Sequence, residues 1–158
     1  MKVEITNPNY IINSFVDITT AYQFTVEIFK FQLNFKNKYA TLVFYKDWGF
    51  LECDLIQNGK EDEFSLKSIP YYGFNSDFRL NEGDVLEAYK FIINNYLKDS
   101  LLYGDFNWIK RYLLNYNLKI NRIAKVKSLP NTDPIKSKFQ LNDPTWELDL
   151  IEKFPELK

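Results

Sequence analysis

Histidine is missing altogether from the 158 residues. That excludes Ser-His-Asp and Cys-His nucleophile pairs, the common zinc ligand sets, and the side chain most often used to move protons near neutral pH. Cysteine occurs once, at Cys53. The chain therefore has no internal disulfide and no thiolate metal cage, and a lone thiol fits a reducing compartment. A bound metal would have to be a hard cation held by oxygen ligands. With only five glycines there is no Walker-type loop and no GxGxxG, so no nucleotide cofactor, or any other, is expected. The segment Met1-Lys2-Val3-Glu4-Ile5-Thr6-Asn7-Pro8 lacks the apolar core of a signal peptide, and no run elsewhere approaches a membrane span. The expectation is a cytoplasmic chain without a membrane partner. Charge of one sign is also lacking: the formal net charge is −1, so no global field draws the protein to nucleic acid or to an anionic surface.

What is present is apolar and aromatic. A hydrophobic fraction of 46% at this length supplies one well-buried core and predicts one domain over 1–158. From Tyr22 to Phe35 the apolar residues alternate, with Tyr22, Phe24, Val26 and Ile28 on one parity and Phe29, Phe31, Leu33 and Phe35 on the other. The pattern predicts a long strand whose apolar face changes sides at Ile28-Phe29, through a bulge or by leaving one packed surface and joining another. Asn37-Lys38 turns the chain into Tyr39–Tyr45, apolar on both parities and so a central strand. After Asp47-Trp48-Gly49, Leu51, Cys53 and Leu55 alternate with Glu52 and Asp54. Asn58-Gly59 predicts a type I′ hairpin leading to Phe64 and Leu66. The result is an antiparallel meander of about four strands between Tyr22 and Leu66.

Beyond Pro70 the period becomes helical. Val85, Leu86, Tyr89, Ile92, Ile93, Tyr96 and Leu97 form a stripe behind Asp84 and Glu87, a capping-box-like start. Gly104-Asp105 suits the end of one helix and the start of the next, which carries Phe106, Ile109, Tyr112, Leu113 and Tyr116. Helices are predicted near 84–103 and 106–117. The stretch 118–129 is compatible with helix or strand, 131–142 reads as a loop, and Asp143-Pro144 opens a last helix. The fold class is α+β: an antiparallel meander with amphipathic helices packed on one face.

Three local features bear on function. Glu52 and Asp54 lie two apart on one strand face, and Glu61, Asp62 and Glu63 follow the turn. Such carboxylates suit a basic partner, a hard cation or acid–base work, or simply form a solvated sheet face. Tyr71, Tyr72, Phe74 and Phe78, with Arg79, have the composition of an interface loop or of a cap on the meander. Lys110, Arg111, Lys119, Arg122, Lys125, Lys127, Lys136 and Lys138 make a basic stretch. The pI of about 5.6 and the want of a recognisable module argue against nucleic acid as its partner.

The helical segments LNEGDVLEAYKFIINNYL and LLYGDFNWIKRYLL, in a small histidine-free chain behind a meander, resemble those of bacterial immunity proteins. The resemblance covers mainly Leu80–Leu114. It implies a non-enzymatic inhibitor that binds a cognate toxin domain, and an acidic surface would suit a basic toxin. On this reading Glu52, Asp54, Glu61, Asp62, Glu63, Tyr71, Tyr72, Phe74 and Phe78 contact the protein partner. The rival is a small-ligand-binding protein or carboxylate-dependent enzyme with a pocket between sheet and helices.

Overall fold

The run from Tyr39 that is apolar on both parities builds the middle of an antiparallel sheet in the computed structural model, which describes residues 1–69 and 82–158. The chain divides into two compact units, Met1–Asn107 and Trp108–Lys158, and the sheet lies in the first. Its strands are β1 (Lys2–Val3), β2 (Thr25–Ile28), β3 (Leu33–Lys36), β4 (Ala40–Asp47), β5 (Phe50–Gln57) and β6 (Glu63–Ser65). Their order is β2-β3-β4-β5-β6, with β1 pairing the end of β4. The architecture is α+β with an antiparallel meander, as the pattern predicts.

Register decides which side chains meet. Leu33 pairs with Phe44 and Phe44 with Cys53, while Phe35 pairs with Leu42 and Leu42 with Leu55. Side chains alternate across a strand, so these residues share one face, and all of them are fully buried. Helices cover that face. Phe15, between α1 (Pro8–Ser14) and α2 (Val16–Ala21), packs edge-on to Phe44 with ring centroids 5.1 Å apart. Tyr89 of α3 (Glu82–Tyr96) also packs edge-on to Phe44, with ring centroids 6.0 Å apart. Its hydroxyl donates to the Leu51 carbonyl at 2.7 Å, satisfying a polar atom that burial would otherwise strand.

Several elements depart from expectation. The long strand expected over 22–35 is a hairpin, with Val26 paired to Phe35 and Ile28 to Leu33. The parity switch marks a turn at Lys30-Phe31, closed by the Phe29 N–H to the Gln32 carbonyl at 2.9 Å. No Gly, Asn, Asp or Pro announces it. The Asn58-Gly59 turn is present, but only Gly59 has positive φ, and pairing resumes at Ile56 with Glu63, so the connection is longer than a type I′ loop. The tight turn with two positive φ values is Trp48-Gly49. Helices α1 and α2 go unannounced by the apolar pattern, although Asn7 caps α1 by accepting from the Tyr10 N–H at 3.3 Å, with Pro8 in the first turn. The helix expected over 84–103 begins at Glu82, two residues before the expected cap, and is interrupted at Leu97, giving α3 and α4 (Lys98–Tyr103).

In the second unit, α5 (Asn107–Ser128) runs well beyond 117 and settles 118–129 as helix almost to its end. Val126 and Leu129 are buried with Ile135, Trp146 and Leu150, which is why the helix continues. The stretch 131–142 is not a loop. It holds α6 (Pro134–Gln140), capped by Asp133, whose carboxylate accepts from the Ile135 N–H at 2.9 Å. The final helix, α7 (Trp146–Lys153), follows a turn in which the Asp143 carboxylate accepts from the Thr145 N–H and hydroxyl.

Candidate functional site

Three places in the first unit gather chemistry: the outer sheet face, a cleft beside Asn37, and the end of the sheet at Trp48. On the outer face β5 presents Glu52 and Asp54 together, as their spacing requires, and Glu63 opens β6 opposite Ile56. Glu61 and Asp62 are exposed in the preceding connection. Tyr71, Tyr72, Phe74 and Phe78 lie outside the described residues.

The strand carboxylates are engaged within the fold. Glu52 forms an ion pair with Lys67 at 2.6 Å, both side chains mostly shielded. Asp54 accepts from the Tyr45 hydroxyl. Burial pushes the Asp54 carboxyl above its ordinary range; the Tyr45 hydrogen bond opposes this, while the charges of Glu63 and Glu52 add to it. Burial, then the Asp54 charge, raises Tyr45 as well. Among the described residues no group of three or more acidic, His or Cys side chains is placed to hold a metal ion.

An acid whose folded-state pKa is raised binds its proton more tightly folded than unfolded. Its stabilising contribution is therefore complete below the unfolded aspartate range and is lost as pH rises through the folded pKa. Asp54→Asn is accordingly expected to be neutral or stabilising at pH 7 relative to the native chain, with the difference shrinking on acidification toward pH 3. Urea midpoints measured across that range check the sign, and a variant penalty that grows toward neutral pH would contradict it.

The cleft of about 250 Å³ is lined by Ala21, Tyr22, Gln23, Asn37, Lys38, Tyr39, Leu101 and Leu102. Asn37 organises it. Its amide donates to the carbonyls of Tyr22 and Leu101, both at 2.9 Å, and its side-chain oxygen accepts from the N–H groups of Tyr39 and Ala40. Asn58 ties in the next hairpin by donating to the Asn37 carbonyl at 2.8 Å while accepting from Thr41. With both polar ends of Asn37 used internally, the cleft is a structural joint between strands and helices.

Gly104 closes α4 beside it in the left-handed region at φ 72°, and a Cβ there would stand 2.7 Å from a Tyr39 ring carbon. Asp105 accepts from the Asn107 N–H at 2.9 Å and so opens α5. The Gly-Asp step thus ends one helix and starts another.

At the end of the sheet, two hairpin tips flank the β1 segment. The Trp48 N–H donates to the Met1 carbonyl, and the Lys30 carbonyl accepts from the Ile5 N–H. Ile28, Phe29, Phe31, Trp48 and Phe50 are all exposed here, Trp48 at 72%. Trp48 also carries φ 50°, a region that disfavours bulky side chains. An Asn or Gly would make this turn more comfortably. Strain and solvent exposure of a large indole thus coincide at one residue. Composition alone does not single it out, because Trp48 reads as part of a turn.

The basic stretch lies in the second unit, where most of its cations have partners. Lys119 pairs with Glu147 and Lys138 with Asp149. Arg122 donates to the Leu157 carbonyl, and Lys136 to those of Lys127 and Leu129. Lys125 lies over the Phe154 ring. No helix among the described residues is long and apolar enough to cross a membrane. No protein-family model matches the chain, and comparison with curated proteins and with solved structures finds no significant match.

Proposed function

We propose that the chain is a non-enzymatic protein-binding module that docks through the apolar end of its sheet, in the manner of an immunity protein blocking a toxin domain. The observation that carries this is Trp48, a tryptophan fixed at positive φ and 72% exposed beside Phe50. Large aromatic anchors dominate interface energetics, and strained backbone tends to gather at functional sites. The shielding of Glu52 and Asp54 moves the weight of binding from the acidic face to this end, while Glu61 and Asp62 remain available for steering.

The test separates stability from binding. Trp48→Asn produces an Asn-Gly turn suited to positive φ and is expected to stabilise the fold by about 0.5–1 kcal/mol while losing the partner. A photo-reactive phenylalanine analogue at position 50, introduced into the chain in its source cell, is expected to cross-link one protein in a Trp48-dependent way. Co-expression of the chain should then suppress the growth inhibition that protein causes. Equal cross-linking by Trp48→Asn, or a captured protein whose action the chain leaves untouched, would overturn the reading.

A further inference from the structure

The hydrogen-bonding phase of β2 says what kind of segment the partner contributes. The Phe29 N–H bonds the Gln32 carbonyl, so Phe29 and Gln32 form a hydrogen-bonded pair. Such pairs alternate along an antiparallel ladder. Glu27 with Asn34 and Thr25 with Lys36 are then also hydrogen-bonded, while Val26 with Phe35 and Ile28 with Leu33 are not. The N–H and C=O groups of Val26 and Ile28 therefore point away from β3. On that side, among the described residues, no strand borders β2, and Thr25, Glu27 and Ile28 are exposed.

A free edge is a template for another strand, and natural proteins usually protect it with lysine, proline or a bulge. β2 has none of these within Thr25–Ile28, and it runs directly into the exposed Phe29 and Phe31. The chemistry of the two faces differs. Val26 and Ile28 project to the apolar side, and Glu27 projects to the other as a carboxylate with no ion pair among the described residues.

Resting on the docking reading above, we infer that β2 is a strand-accepting edge. The partner adds an extended segment that alternates apolar and basic residues, the apolar ones beside Val26 and Ile28 and a cation beside Glu27. Main-chain bonds to Val26 and Ile28 supply affinity, and the alternation supplies selectivity.

The probe is a capped eight-residue peptide alternating valine and lysine, titrated to millimolar concentration into the isotopically labelled chain. Amide shifts and slowed hydrogen exchange are expected at Val26 and Ile28. Ile28→Pro removes an outward donor while sparing the ladder to β3 and should weaken binding at least tenfold. Glu27→Lys, a surface change that keeps the fold even if the proline variant does not, should weaken it comparably and reverse the sign of its salt dependence, since salt then screens a repulsion. An alternating valine–glutamate peptide should bind at least tenfold more weakly. No shift at Val26 and Ile28, or indifference to Glu27→Lys, overturns the inference while leaving Trp48-dependent capture to stand or fall separately. Sedimentation of the chain alone should give a monomer; a dimer dissolved by Ile28→Pro would assign the edge to a second copy and overturn it too.

Discussion

Phe44→Ala is expected to lower the free energy of unfolding by about 3–5 kcal/mol, the range for deleting a fully packed aromatic ring. Phe44 is 0% exposed, and its ring meets Phe15 at 5.1 Å, Phe35 at 5.4 Å and Tyr89 at 6.0 Å. These neighbours come from a helix junction, an adjacent strand and α3, so the void cannot close by a shift of any one element. For a domain with ordinary stability of about 5–15 kcal/mol, that is a large fraction of the whole. Urea unfolding followed by circular dichroism measures it, with the m-value expected to stay near native. A loss below about 1 kcal/mol would mean that the aromatic cluster relaxes around the gap.

Gly104→Ala should destabilise by about 2–4 kcal/mol, combining left-handed backbone strain with an over-close contact. A pair of glycines separates the two components. Gly49 has φ 83° with nothing within 4 Å of where a Cβ would stand, whereas the Cβ at Gly104 would meet the Tyr39 ring at 2.7 Å. Gly49→Ala therefore carries the backbone component alone, and Gly104→Ala should exceed it by at least about 1 kcal/mol. Equal losses in the two variants would show that the Tyr39 ring yields freely.

Legibility in the sequence follows locality. The inner sheet face can be read because Leu51, Cys53 and Leu55 alternate strictly, and the Gly104 junction because capping uses residues adjacent in the chain. The β2–β3 hairpin cannot, since Phe29-Lys30-Phe31-Gln32 contains no turn residue and is closed only by pairing. Helices α1 and α6 do carry a signal. Asn7-Pro8 and Asp133-Pro134 are both cap-and-first-turn pairs, whereas the similar Asp143-Pro144 step lies in the turn ahead of the last helix, whose cap is Thr145; the short apolar runs behind the first two hide their signal. As for the site, spacing places Glu52 and Asp54 on one face correctly, but their pairing with Lys67 and Tyr45 depends on tertiary neighbours. The significance of Trp48 depends on a backbone angle, which no composition reveals.

Cys53 has a use unrelated to binding. It is the single thiol of the chain, fully buried where β5 pairs with Phe44 of β4. Burial first, and the charges of Asp54 and Glu52 after it, push its pKa well up. Alkylation requires the thiolate as nucleophile, so the folded form is shielded twice over, sterically and by protonation. Modification must wait until β5 separates from its neighbours. When reclosing outpaces alkylation, the labelling rate is the opening equilibrium constant multiplied by the rate for an unprotected thiol. The centre of the sheet thus carries its own clock, readable by mass under native conditions without denaturant.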